Sequence, residues 1–218
     1  SSSAASDVYK RQVLRSGTRY EEWREMVSRM SRSLEIEIVG RFDQTTDVDV
    51  FILHVVATHG GNGSLWPIIT KRALEAFSRV SDIFEISVGP VVPHRDPQAG
   101  PNCLYIHTRN SIPWQIIKDI NEKRRWSKKT YNPPFVVIRR TSSPSDNHRA
   151  VATIINCKAS VAVENHLIVA VPKNGSLSSC VSLLKVLQNP QTDAFLNERI
   201  RCRHLTNGSV EEIPWIEE

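Results

Sequence analysis

The chain has 218 residues, 40% hydrophobic, 7% aromatic and 23% charged, with 28 Lys+Arg against 23 Asp+Glu and a formal net charge of +5. That is too apolar for a disordered chain and long enough to bury a core without staples, while its apolar runs are too short to cross a bilayer. Cys103, Cys157, Cys180 and Cys202 stand without CxxC spacing, which argues against a zinc ribbon or a disulfide framework. No stretch has the order of a signal peptide, so the expectation is a soluble, cytoplasmic protein without membrane contact.

Residues 1–16 (SSSAASDVYKRQVLRS) have no apolar period and read as linker or read-through sequence outside the fold. From Tyr20 to Leu34, the positions Trp23, Met26, Val27, Met30 and Leu34 fall at helical spacing, opposite Arg24, Glu25, Arg29 and Arg32. Val48–Val56 is almost continuously apolar, as in a strand buried on both faces of a sheet. The glycine-bearing turn Thr58–Gly63 and a helix over Ile69–Val80 would complete the last unit of an α/β sheet.

The pattern changes near Ser81. Ile83–Val92 alternates and is broken by Gly89-Pro90, which predicts an edge strand or two short ones. Pro113 suits the first turn of a short helix with Ile116, Ile117 and Ile120. The basic run NEKRRWSKKTYNPP leads into the strand FVVIRR. Ala150–Asn156 and Val161–Val171 then read as a hairpin. Ser176 caps a helix with Leu177, Cys180, Val181, Leu184 and Leu187 on one face, and Thr192 is placed to cap another reaching Arg199. The fold expected is α+β: residues 82–218 form a mixed β-sheet domain with short helices, preceded over 17–81 by an α/β remnant.

Positive charge gathers in one stretch, where Lys123, Arg124, Arg125, Lys128, Lys129, Arg139, Arg140 and Arg149 face only Glu122 and Asp146. Clustered cations bind phosphates through counterion release, arginine forks also read base edges, and the interleaved Trp126, Tyr131 and Phe135 offer rings for stacking. Arg199, Arg201, Arg203 and His204 form a second group, spaced for one face of an extended segment. A solvated face is the plainer reading of any single charge run, but the recurrence favours nucleic acid. His94 and Arg95 are lesser candidates in a Pro-bounded loop.

Asn132-Pro133-Pro134-Phe135 has the form used by amino-methyltransferases, in which Asn and a proline carbonyl accept from the target amine while the ring stacks on a flipped base. Here a basic, strand-poor segment precedes it, and Thr58–Gly63 lacks the glycine spacing of a cofactor turn, so a stiff lead-in to a strand is the better reading. The histidines show no metal spacing, Asp43, Asp47 and Asp49 lack the partners of a nuclease site, and Glu164-Asn165-His166 suits structural hydrogen bonding.

Taken together, ISVGPVVPHRD, PPFVVIRRTSSPSDNHRAVATII, VAVENHLIVAVPK and LNERIRCRHLT resemble the C-terminal target recognition region of bacterial N6-adenine-specific DNA methyltransferases of restriction-modification systems. GRFDQTTDVDVFILHV resembles the end of the catalytic domain before it, and the likeness spans about Arg19 to Trp215. The resemblance implies a fragment that reads duplex DNA through Arg124, Arg125, Lys128, Lys129, Arg139, Arg140, Arg149, Arg201, Arg203 and His204. It implies a parent enzyme whose missing N-terminal methyltransferase domain holds S-adenosylmethionine and the catalytic motif, so that neither cofactor nor metal is expected on this chain. Asn132–Phe135 would then be a coincidental match. The alternatives are a compact methyltransferase that uses Asn132–Phe135, a separate non-enzymatic specificity subunit, and an RNA-binding protein.

Overall fold

At Met30 a helical period gives way to a strand period. In the computed structural model, which describes residues 18–41, 49–57, 78–142, 146–199 and 203–216, helix α1 spans Thr18–Met30 and strand β1 Ser31–Arg41. The helix therefore stops short of Leu34, where the sequence pattern placed its end. Ser31 is fully buried and its hydroxyl donates to the Val27 carbonyl. From Leu34 to Ile38 apolar residues alternate with Glu35 and Glu37, and that period of two favours an extended strand. Strand β2, Asp49–Ala57, pairs antiparallel with β1, Leu34 opposite Val55 and Arg41 opposite Asp49. It is not covered on both faces as expected, since Val55 and Val56 are 43% and 55% exposed. The turn Thr58–Gly63, the expected helix from Ile69 as far as Phe77, and Asp43 and Asp47 lie outside the described residues.

The chain divides into the units Ser1–Ala73 and Leu74–Glu218. The second opens with α2 (Val80–Ile83) and β3 (Phe84–Val88), and continues with β4 (Asn102–Ile106), β5 (Ile116–Ile117), β6 (Lys123–Arg125), β7 (Phe135–Arg139), β8 (Ala152–Ile155), β9 (Val161–Val163) and β10 (Leu167–Pro172). Helices α3 (Leu177–Gln188), α4 (Pro190–Arg199) and α5 (Asn207–Glu211) complete it. Five strands form a mixed sheet in the order β3-β10-β7-β8-β5, and three form a second in the order β6-β4-β9. This is the α+β class expected for the region.

The central strands show why their sequences are apolar without alternation. Val136, Ile138, Ile168 and Ala170 enter a core shared with Cys180, Leu183, Leu187 and Leu196 of the helices. Their neighbours Phe135, Val137, Leu167 and Val169 enter another, shared with Ile106, Val161 and Val163 of the smaller sheet. A sheet covered on both faces needs apolar residues at both parities.

Several local expectations hold. β3 is an edge strand ended at Gly89-Pro90, and Val91 makes one further bridge, to Glu164. The Gly89 amide donates to the Leu167 carbonyl at 2.9 Å, and a Cβ on Gly89 would lie 2.1 Å from the Glu164 carbonyl oxygen. Ser176 caps α3, its side chain accepting from the Ser178 amide.

Others do not hold. Pro113 starts no helix: Trp114 takes a left-handed φ of 63°, its amide donates to the Ala152 carbonyl, and Ile116–Ile117 join the sheet edge parallel to β8. The hairpin over 150–171 is replaced by strands in different sheets. β8 pairs with β7 and β5, β9 pairs parallel with β4, and Glu164-Asn165-His166 turns the chain from β9 into β10. Val161–Val163 are claimed on one face by the inter-sheet core and on the other, through Ala162, by Trp126 and Val91. Val181 points outward on α3, and Leu183 takes the buried place. Helix α4 begins at Pro190, with Asn189 Oδ1 accepting from the Gln191 amide, while the buried Thr192 hydroxyl donates to the Val186 carbonyl at 2.6 Å.

Candidate nucleic-acid interface

Strand parity sorts the basic segment. β6 runs antiparallel to β4, Arg125 opposite Asn102 and Lys123 opposite Leu104. Lys123 and Arg125 therefore face solvent, while Arg124 points inward and is only 7% exposed. Its guanidinium donates to the Asp96 carbonyl at 2.7 Å and stands 5.8 Å from the centre of the Tyr105 ring. Arg125 is exposed, and its Nε donates to the Gly100 carbonyl at 3.1 Å.

The turn after β6 continues the positive strip. The buried Trp126 closes it, Nε1 donating to the Lys129 carbonyl at 3.0 Å. Lys128 lies 5.3 Å from the Trp126 ring centre and 3.1 Å from Asp96 Oδ1, and Lys129 lies 4.8 Å from the Tyr131 ring centre. A cation over a ring face is held in direction without being neutralised, which describes Lys129, whereas Lys128 is also paired with the Asp96 carboxylate. The Val92 amide first, and the Lys128 ammonium second, hold the Asp96 carboxyl below its ordinary range. The aromatic residues thus do something other than expected: Trp126, Tyr131 and Phe135 are buried and orient lysines or fill the core, offering no ring to a base.

Asn132 is exposed, the Pro133–Pro134 peptide is cis, and Phe135 is the first residue of β7 with its ring 5.8 Å from that of Tyr131. Phe135 is wholly buried, so the four residues do not present the asparagine-and-ring pair that would hold a flipped adenine.

At the other end of the sheets the arginines are struts. Arg139 donates to the carbonyls of Thr108 and Ser111 at 3.2 and 3.1 Å. Arg140 donates to the Asn165 carbonyl at 2.9 Å, and its own backbone bonds His166 and Leu205. Arg149 is 0% exposed, its amide donating to Asp193 Oδ1 at 2.7 Å beside the His148–Asp193 pair. Arg203 and His204 are exposed; His204 bridges Thr141, and the Arg203 carbonyl accepts from Ser142. Arg199 ends α4 rather than lying in an extended run, and Arg201 lies outside the described residues. His94 and Arg95 are exposed in the turn before Asp96.

The ten basic residues singled out in the sequence are thus not one surface. Lys123, Arg125, Lys128 and Lys129 are each exposed, whereas Arg124 and Arg149 are interior. Lys123, counted in the basic stretch but not among the ten named contacts, belongs with the exposed cations, and the exposed Arg109 in the loop after β4 escaped the sequence reading. Neither position carried a local signal, because three consecutive basic residues show no alternation until the strand's parity is known.

Burial raises the Tyr105 hydroxyl to about 12, with the Glu164 charge adding to it, and burial raises Cys180 to about 12. Neither group ionises near neutrality, so neither supplies a nucleophile there. Among the described residues no group of three His, Cys, Asp or Glu side chains could hold a metal ion, and no helix is long and apolar enough to cross a membrane. No protein-family model matches the sequence, and no curated protein matches it.

Proposed function

We propose that the Leu74–Glu218 unit binds duplex DNA as the target recognition part of an N6-adenine DNA methyltransferase. The observation that carries the DNA reading is the strip Lys123, Arg125, Lys128 and Lys129. It is a run of solvent-facing cations on one strand and its following turn, with two ammonium groups directed by buried rings. Such a strip tracks a phosphate backbone, and each contact adds to the salt dependence of binding. The adenine and methyl-transfer part of the reading rests on the sequence resemblance.

S-adenosylmethionine belongs, in this reading, to a partner catalytic domain, because the described residues do not fit it. Among the described residues the one turn from a strand into a long helix, Lys173–Ser176 between β10 and α3, carries a single glycine, and its Asn174 and Ser176 side chains bond those of Ser179 and Ser178 in α3. After α3 the chain enters α4 rather than a further parallel strand that could end in a ribose-binding carboxylate. This chain would hold the duplex while the adenine is turned out toward the catalytic domain.

The test is a titration of the purified chain with mixed-sequence duplex DNA across a salt series, with S-adenosylmethionine titrated alongside. Salt-sensitive binding that weakens in Lys128→Ala/Lys129→Ala, with no cofactor binding, is the expected result. Cofactor binding by the chain alone would overturn the division of labour, and a folded chain without affinity for duplex DNA would overturn the DNA reading.

A further inference from the structure

The loop from His107 to Ile112 exposes Arg109 and Ile112 while its other residues are buried or half-buried and tied down. Within it, the His107 amide donates to Asn110 Oδ1 at 2.7 Å, Asn110 Nδ2 to the Tyr105 carbonyl at 3.0 Å, and the Ser111 amide to the His107 carbonyl at 3.1 Å. His107 is fixed in turn: its Nδ1 accepts from the Arg109 amide at 3.1 Å, so the neutral ring presents Nε2–H to Glu122 Oε2 at 2.8 Å. From outside, Arg139 holds the carbonyls of Thr108 and Ser111, and Thr153 Oγ1 donates to the Ile112 carbonyl at 2.7 Å. Pro113 follows and restricts the exit.

Apart from the exposed Glu122, these bonds use backbone or partly to fully buried side chains. Three side chains remain outside the network, the half-buried Thr108, the exposed Arg109 guanidinium and the Ile112 alkyl group, which is 50% exposed; the last two reach furthest into solvent. Among the described residues Arg109 makes no side-chain hydrogen bond or ion pair. An arginine and a branched apolar side chain on a pre-ordered loop are the pair that protein–DNA interfaces use to read a base edge and to press into a base step. Because the loop is already ordered, little conformational freedom is lost when it enters a groove.

We infer that the His107–Ile112 loop is the groove-reading element of the unit, with Arg109 on a base edge and Ile112 wedged against an adjacent step. This rests on the DNA reading above and adds to it a division between phosphate binding at the lysine strip and sequence reading at this loop. Arg139 is a positioning residue for the loop.

The test exposes the purified chain to a pool of duplexes of randomised sequence and sequences the bound fraction. The variants are Arg109→Ala, Arg109→Lys and Ile112→Ala, with Lys128→Ala/Lys129→Ala as the contrasting pair. Both loop side chains are exposed, so near-ultraviolet circular dichroism should match the parent in every variant. The parent chain is expected to enrich a motif. Arg109→Ala and Arg109→Lys should each lose discrimination at one base-pair position by roughly 10-fold, since lysine keeps the charge but not the fork. Ile112→Ala should reduce the bend of the enriched duplex, read by energy transfer between end labels. The lysine pair should weaken binding to all sequences alike. An unchanged motif in both Arg109→Ala and Ile112→Ala overturns the inference, as does a parent chain that binds duplexes without any motif. A parent chain that binds no duplex overturns the DNA reading and this inference together.

Discussion

The two ends of the Leu74–Glu218 unit use basic side chains in opposite ways. Around β6 and its following turn Lys123, Arg125, Lys128 and Lys129 are exposed; Lys128 and Lys129 stand over ring faces, and of these two Lys128 is also paired with Asp96. Around the end of β7 the guanidinium groups turn back onto the carbonyls of Thr108, Ser111 and Asn165, and Arg149 disappears into the interior. The physical difference lies in what stands nearby. A planar fork can satisfy several loop carbonyls at once, which an ammonium on a flexible stem does less well. Density of positive charge along the chain is therefore a poor guide to positive surface; strand parity and the proximity of unpaired carbonyls decide which cations reach solvent.

This contrast can be broken by substitution. The largest loss of stability is expected for Arg149→Ala, about 3 kcal/mol or more by urea denaturation, because a fully buried charged side chain is removed from its surroundings. Arg139→Ala follows at roughly 2 kcal/mol, from two charge-assisted bonds to loop carbonyls, and should increase hydrogen exchange at Asn110 and Ser111. Arg125→Ala/Lys128→Ala/Lys129→Ala should leave stability within about 1 kcal/mol and lower the slope of log K against log salt by about 2 to 3, measured with mixed-sequence duplex DNA. Should Arg149→Ala keep full stability while the triple variant unfolds, the assignment of the two ends is reversed.

The smallest effect concerns Asp96. Its carboxyl lies below the ordinary value of 3.8, so the stabilisation from Val92 and Lys128 is fully present above that pH and disappears as pH falls through the lowered folded value. Asp96→Asn should melt below the parent at neutral pH, and the difference in Tm should close on acidification below the usual carboxylate range. A difference constant from neutrality to strong acid would remove Asp96 from this role.

Elements whose signals are local were legible in the sequence. The Ser176 cap, the strand FVVIR, and the edge strand ended by Gly89-Pro90 each follow from a few adjacent residues. What could not be read depended on distant partners. Ile116 and Ile117 have helical company in sequence, but Trp114 is drawn onto Ala152, and the edge of the sheet takes them. The run Val161–Val171 looked like one strand because its two halves are equally apolar, although they belong to different sheets. In the candidate interface the segment was legible and its members were not. Nothing local distinguishes Arg139, which grips a loop 28 residues away at Ser111, from Arg125 on the solvent side.

The turn Glu164-Asn165-His166 joins the last residue of one sheet to the first of the other, while Gly89 presses backbone to backbone against it and Arg140 clasps its middle carbonyl. Neither sheet can separate from the other without disturbing this hinge point. The two layers should accordingly open as one cooperative body, with the slowest-exchanging amides of β9 and β10 sharing a single free energy of opening.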